Sequence, residues 1–203
     1  MNINYESFRE LVERHDRPVL LIEGTRSLPE ADRPKLVALG TALARAFPRA
    51  RFRTGNAEGA DEAFAEGVAR VDAGRIEYVL PYGRHRQEKM ADISYRIALT
   101  EIPRVAEERA AYETGRSSPK YSVMLAKRHV VPQLRAKSRY LLRDTLKVIG
   151  AAESGLPPAT VGVFYANPMN PMQGGTGHTI RVCQQQGVPV VLQNEWFTWP
   201  AGA

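Results

Sequence analysis

Apolar positions fall into two rhythms along this chain. Residues 51–54 read as one short strand, and near-continuous apolar or β-branched runs occur at Val19-Leu20-Leu21-Ile22 and at residues 76–80, 145–149, 161–165 and 188–192. Such runs, lacking polar alternation, predict strands covered on both faces, as in a parallel sheet. Between them, apolar residues recur at helical spacing. Phe8, Leu11 and Val12 mark a short helix over residues 5–14. Leu36, Leu39, Leu43, Ala46 and Phe47 mark a second, with Pro34 near its start and Pro48 at its end. Ala60, Ala63, Phe64, Gly67, Val68 and Val71 mark a third, whose small residues let it lie close on a sheet, and Ile180, Val182 and Cys183 lie on a late one. Residues 84–143 read as mostly helical and polar, broken by Pro103, a loop at residues 115–119, and Pro132. The alternation predicts an α/β fold: Rossmann-like, doubly wound, mostly parallel, in one domain over residues 1–203 with a basic helical insertion at about 84–143. Trp196, Phe197 and Trp199 are expected to cover the sheet edge.

Composition changes this picture at two points. The 203 residues are 43% hydrophobic and 25% charged, ordinary for a globular chain able to bury a core. No stretch approaches the ~18 apolar residues of a membrane span, and residues 1–16 are too polar and acidic for a secretory leader. The one cysteine, Cys183, fits a reducing cytoplasm and reads as a buried thiol. The net charge of +6 is unevenly spread: residues 84–143 carry 14 basic and 6 acidic residues, and the remainder carries 14 and 16. That segment is either a solvated helical face or an electrostatic footprint for a polyanion, with Tyr95, Tyr112, Tyr121 and Tyr140 available to stack on bases.

The chemistry gathers in three polar turns, each after a predicted strand or before a predicted helix. The first is Glu23-Gly24-Thr25-Arg26-Ser27, where Arg26 can clamp a phosphate. The second is Thr54-Gly55-Asn56-Ala57-Glu58-Gly59-Ala60-Asp61, where Asp61 either caps its helix or accepts from a ribose. The third is Gly174-Gly175-Thr176-Gly177-His178-Thr179, a glycine-rich helix start of the kind that binds anions through free N–H groups and the helix dipole. In doubly wound sheets ligands bind outside the carboxyl ends of the strands, where the strand order reverses. No His, Cys or carboxylate pair has zinc-like spacing, so no metal is expected.

Together these three turns resemble the SLOG superfamily, the Rossmann-like group named from the DNA-processing protein A and LONELY GUY proteins. The likeness covers roughly residues 18–82 and 136–193, and Arg143-Asp144 looks like a further recurrent feature, just before the strand predicted at 145–149. It implies a nucleotide or nucleotide-derived phosphorylated ligand, with no other cofactor, held by Gly24, Thr25, Arg26, Thr54, Gly55, Asn56, Asp61 and Gly174 to Thr179. The family's branches include nucleotide sensors, phosphoribohydrolases and single-strand DNA loaders. The hydrolase branch carries a catalytic glutamate in its glycine motif, and here that position holds Arg181. An arginine cannot activate water, so hydrolysis would fall to Glu58 or Asp61. Three functions stay open: nucleotide binding, N-glycosidic or phosphoribosyl hydrolysis, and single-stranded nucleic-acid binding. The oligomeric state, homo-oligomer or monomer, is equally open.

Overall fold

The computed structural model describes residues 3–200; Met1, Asn2 and Ala201 to Ala203 lie outside the described residues. The chain runs α1 (Tyr5–Glu13), β1 (Val19–Gly24), α2 (Arg33–Ala46), β2 (Arg51–Thr54), α3 (Ala60–Asp72), β3 (Ile76–Leu80), β4 (Tyr95–Ala98), α4 (Arg104–Ser117), α5 (Ser122–Ala126), α6 (Pro132–Ile149), β5 (Val161–Tyr165), α7 (Gly174–Gln186), β6 (Val190–Leu192) and α8 (Gln193–Trp196). Six parallel strands form one sheet in the order β4-β3-β2-β1-β5-β6. The fold is thus a doubly wound, Rossmann-like α/β fold. From β1 to β4 the chain progresses one way across the sheet, then returns to lay β5 on the other side of β1. The order therefore reverses between β1 and β5, and their carboxyl ends flank a crevice.

Burial explains why these strands form where they do. Every residue of β3 and β5 is buried, as are Val19 to Glu23 of β1, so continuous apolar runs meet helices on both faces. One core joins α1, α2 and α3 to the sheet, and a second lies under α4 and α6. A third packs α7 against β5, with Cys183 fully buried in it and its thiol pushed upward by that burial. Trp196 is buried and donates its indole N–H to the Phe164 carbonyl at 3.0 Å, while Trp199 lies 4.7 Å from Phe8, ring to ring.

Two elements differ from the sequence expectation. Residues 145–149 are not a strand but the last turns of α6. Leu141, Leu142, Leu146 and Val148 are all buried there, and packing overrides the β-branched character of Thr145, Val148 and Ile149. Residues 84–143 are not wholly helical, because Tyr95–Ala98 form the edge strand β4, too short and too mixed in polarity to stand out. A long-range tie crosses the fold. Arg53, on β2 and fully buried, pairs with Glu77 at 2.7 Å and donates to the carbonyls of Lys147 and Pro157 at 2.9 and 2.7 Å.

Candidate functional site

The crevice beyond β1 and β5 is a cleft of about 520 Å³, bordered by the turn after β1, the inner face of α6 and the start of α7. Gly24 ends β1 because nothing larger fits: a Cβ there would stand 2.2 Å from the Tyr165 carbonyl oxygen. The Thr25 N–H then donates to that same carbonyl at 2.8 Å, zipping the two strand ends together.

Asp61, at the start of α3, knots the first two turns. Its Oδ1 accepts from the Gly24 N–H at 3.0 Å, and its Oδ2 accepts from the Thr54 hydroxyl and the N–H groups of Gly55 and Ala57 at 3.0, 3.2 and 3.3 Å. Asn56, with a left-handed φ of 55°, ties this knot to the carbonyls of His85 and Arg86 through its amide, at 3.0 Å each.

Beneath the cleft lies a charged quartet. Glu23, Arg143, Asp144 and Lys147 are each 5% exposed or less, yet all four line it. Lys147 Nζ stands 2.5 Å from Glu23 Oε1 and 2.8 Å from Asp144 Oδ1, and Arg143 Nε is 2.9 Å from that same Asp144 oxygen. Arg143 also donates to the Gly55 carbonyl at 2.5 Å, in space that a Cβ on Gly55 would fill. Burial raises the Glu23 carboxyl to about 7 against the pull of Lys147. Burial would raise Asp144 as well, but Arg143 and Lys147 together hold it below the ordinary range. Both cations stay charged, because their carboxylate neighbours outweigh the burial that would lower them.

Of the residues singled out in the sequence, Gly24, Thr25, Arg26, Asp61, Gly174, Gly175 and Thr176 line the cleft. Arg26 is exposed at its rim, with no hydrogen bond or ion pair to any described residue. Thr54, Gly55 and Asn56 lie behind the wall as supports of the knot, and Glu58 is exposed away from it. Gly177 packs on the Met172 backbone, and the Thr179 hydroxyl donates to the Gly175 carbonyl at 3.1 Å.

His178 does not face the cleft. Its ring is fully buried between the Ser118 and Thr145 hydroxyls at 3.0 and 3.1 Å, and burial lowers it to about 4, so it is a neutral tie from α7 to α4 and α6. Arg181 likewise donates to the Ser118 hydroxyl and the Met172 carbonyl, at 3.0 and 2.7 Å.

In the sequence Arg143-Asp144 stands out only as a recurrent feature before a predicted strand, and neither Lys147 nor the cleft-facing role of Glu23 is marked. A signal existed, since Arg143, Asp144 and Lys147 interrupt the apolar stretch Leu141 to Val148 on one helix. Tyr121, Lys137 and Tyr140 also line the cleft. From Tyr140 an aromatic rim continues outward through His85 to Tyr82, with ring centroids 6.0 and 5.1 Å apart in succession. Burial lowers the His85 ring, and the positive charges of Arg143, Arg86 and Arg26 lower it further.

Among the described residues no group of three or more metal-ligating side chains forms, and no helix is long and apolar enough to cross a membrane. No family model matches the chain, and no curated protein matches it. Among solved structures it is similar to DNA processing protein A from Helicobacter pylori, described for its single-stranded DNA binding mode. The identity is 15%, over 90% of this chain and 67% of that one, with a TM-score of 0.47. At that distance the likeness bears on neither ligand nor activity.

Proposed function

We propose that this protein is a SLOG-like binder of a phosphorylated nucleotide or nucleotide-derived ligand, taken up in the cleft outside β1 and β5. One observation carries this reading: four ionisable side chains are almost wholly buried and yet line a single cleft. Removing charges from water costs several kcal/mol each, and a fold tolerates this where the charges have work to do. The cleft lies at the reversal of strand order and beside the first turn of α7, whose leading N–H groups have no acceptor within the helix. Arg26 and Lys137 at the rim supply the positive potential that a phosphate needs.

The two carboxylates marked for catalysis in the sequence do not support turnover: Asp61 already accepts four hydrogen bonds, and Glu58 lies outside the cleft, so neither is free to activate a water. A thermal-shift screen across nucleoside mono-, di- and triphosphates tests the proposal. A ligand present at a hundred times its Kd should add about 2.7 kcal/mol of stability. A flat response to every phosphorylated nucleotide would sink it.

A second reading is favoured by the Tyr82, His85 and Tyr140 rim, with the Arg143 guanidinium 5.7 Å from the Tyr140 ring centre: a single strand of nucleic acid could stack there. It predicts oligonucleotide affinity that falls steeply with salt and is not displaced by mononucleotides.

A further inference from the structure

Asp144 has an oxygen that nothing in the protein uses. Its Oδ1 receives both Arg143 and Lys147, whereas its Oδ2 accepts no hydrogen bond from any described residue. The side chain is 4% exposed and lines the cleft. Its Oδ2 faces the start of α7, for a Cβ on Gly175 would come within 3.1 Å of it. Open to the cleft and unused by the protein, that oxygen is left to a ligand, and an ionised carboxylate can only accept. A ligand phosphate cannot be that partner, because two anionic oxygens repel. A hydroxyl can.

Glu23 stands beside it. It is 3% exposed, lines the same cleft, and is fixed by the ammonium that fixes Asp144. Lys147 thus holds two carboxyl groups side by side at the floor, while Arg26 and Lys137 stand at the rim. The two floor cations are spent on these carboxyl groups, and the cations without a protein partner lie outermost. Asp61, the other carboxylate of the cleft, is already filled by its own turns.

We propose that this floor is a sugar-hydroxyl subsite. Asp144 Oδ2 and the Glu23 carboxyl accept from the hydroxyls of a 5-phosphorylated ribose, whose phosphate points outward to Arg26, Lys137 and the first turn of α7. The cleft accordingly takes ribo ligands in preference to 2′-deoxyribo ligands. This rests on the reading above that the cleft binds a phosphorylated nucleotide-like molecule. Lys147 and Arg143 are positioning residues, since they hold the carboxylates and leave the sugar to them.

The experiment is calorimetric titration of the full chain with each ribonucleoside 5′-monophosphate and its 2′-deoxy counterpart, alongside ribose 5-phosphate and 2-deoxyribose 5-phosphate. The deoxy ligand of each pair should bind roughly 10- to 100-fold more weakly, the cost of losing one hydrogen bond to a charged acceptor. Asp144→Asn should narrow that gap while circular dichroism shows the fold intact. Should that variant fail to fold, the wild-type pairs alone decide. Ribose 5-phosphate binding as tightly as the nucleotides would identify a free sugar phosphate as the ligand, with the same subsite. Equal affinity within every pair would overturn the subsite and leave phosphate binding standing. Absence of binding by all of them would bring down both.

Discussion

Glu23→Gln isolates the buried quartet's cost. In the folded protein burial outweighs the attraction of Lys147, and the carboxyl titrates at about 7 instead of its ordinary 4.5. Between those two values the folded state keeps a proton that the unfolded chain has released. Stability then falls as pH rises through that window, because the folded state binds more protons there. At about 1.4 kcal/mol per tenfold, the difference amounts to about 3 kcal/mol across the window. Glutamine keeps the shape and the acceptor of the protonated acid and has no proton to lose, while Lys147 retains Asp144 at 2.8 Å. The variant should therefore match the wild type within about 1 kcal/mol at pH 5 and exceed it by about 2–3 kcal/mol at pH 8. Urea denaturation of both proteins from pH 5 to 8 measures this. Subtracting one curve from the other removes every group that titrates alike in both, His178 included. Parallel profiles would refute the claim that burial dominates at Glu23. A variant weaker than wild type at pH 8 would show that the Lys147 pair is worth more than the burial it requires.

Three further outcomes follow from the same geometry. Glu23 and Asp144 are taken by Lys147 and Arg143, which leaves Arg26 solvated, so Arg26→Ala should weaken nucleotide binding by about 1.5–3 kcal/mol and move ligand-free stability by less than about 0.5. Arg26→Lys should restore part of that affinity, and lost stability with unchanged affinity would overturn the clamp. Gly24→Ala places a Cβ 2.2 Å from the Tyr165 carbonyl oxygen and 2.7 Å from the Ala60 Cβ, and should cost about 1–3 kcal/mol in chemical denaturation; a neutral result would mean that the strand ends part easily. The His178 ring should remain neutral down to about pH 4, so the stability it contributes above its ordinary 6.5 is lost as pH falls through 4. Ring-proton shifts in NMR read this directly, and a midpoint near 6.5 would mean that water reaches the Ser118 and Thr145 hydroxyls.

What the sequence disclosed was local. Residues 51–54, 76–80 and 161–165 form strands at the expected positions, and in the latter two a doubly covered strand writes its burial into consecutive residues. The glycine start of α7 was equally legible, since helix entry is a short-range matter. Thr145 to Ile149 misled for the converse reason: a helix end buried on all sides looks like a covered strand until Leu141 and Leu142 extend the pattern backward. At the cleft, the glycine turns were visible as motifs, but His178 was not readable as a buried tie. Its partners Ser118 and Thr145 are 60 and 33 residues away. The quartet was hidden by the same distance, with Glu23 on the first strand and its three companions on α6.

That separation sets an order of assembly. Arg53 reaches the carbonyls of Lys147 and Pro157 across 94 and 104 residues, and Glu23 meets Lys147 only when α6 docks. A chain truncated before Pro132 would leave Arg53 with Glu77 alone and Glu23 without its cation, so the first four strands lack part of the pairing that these charges have in the full fold. Contacts of such long range carry a loop-closure cost that only the rest of the fold repays. Half-made protein therefore has no cleft to offer, and ligand capture becomes a property that arrives with the completed chain.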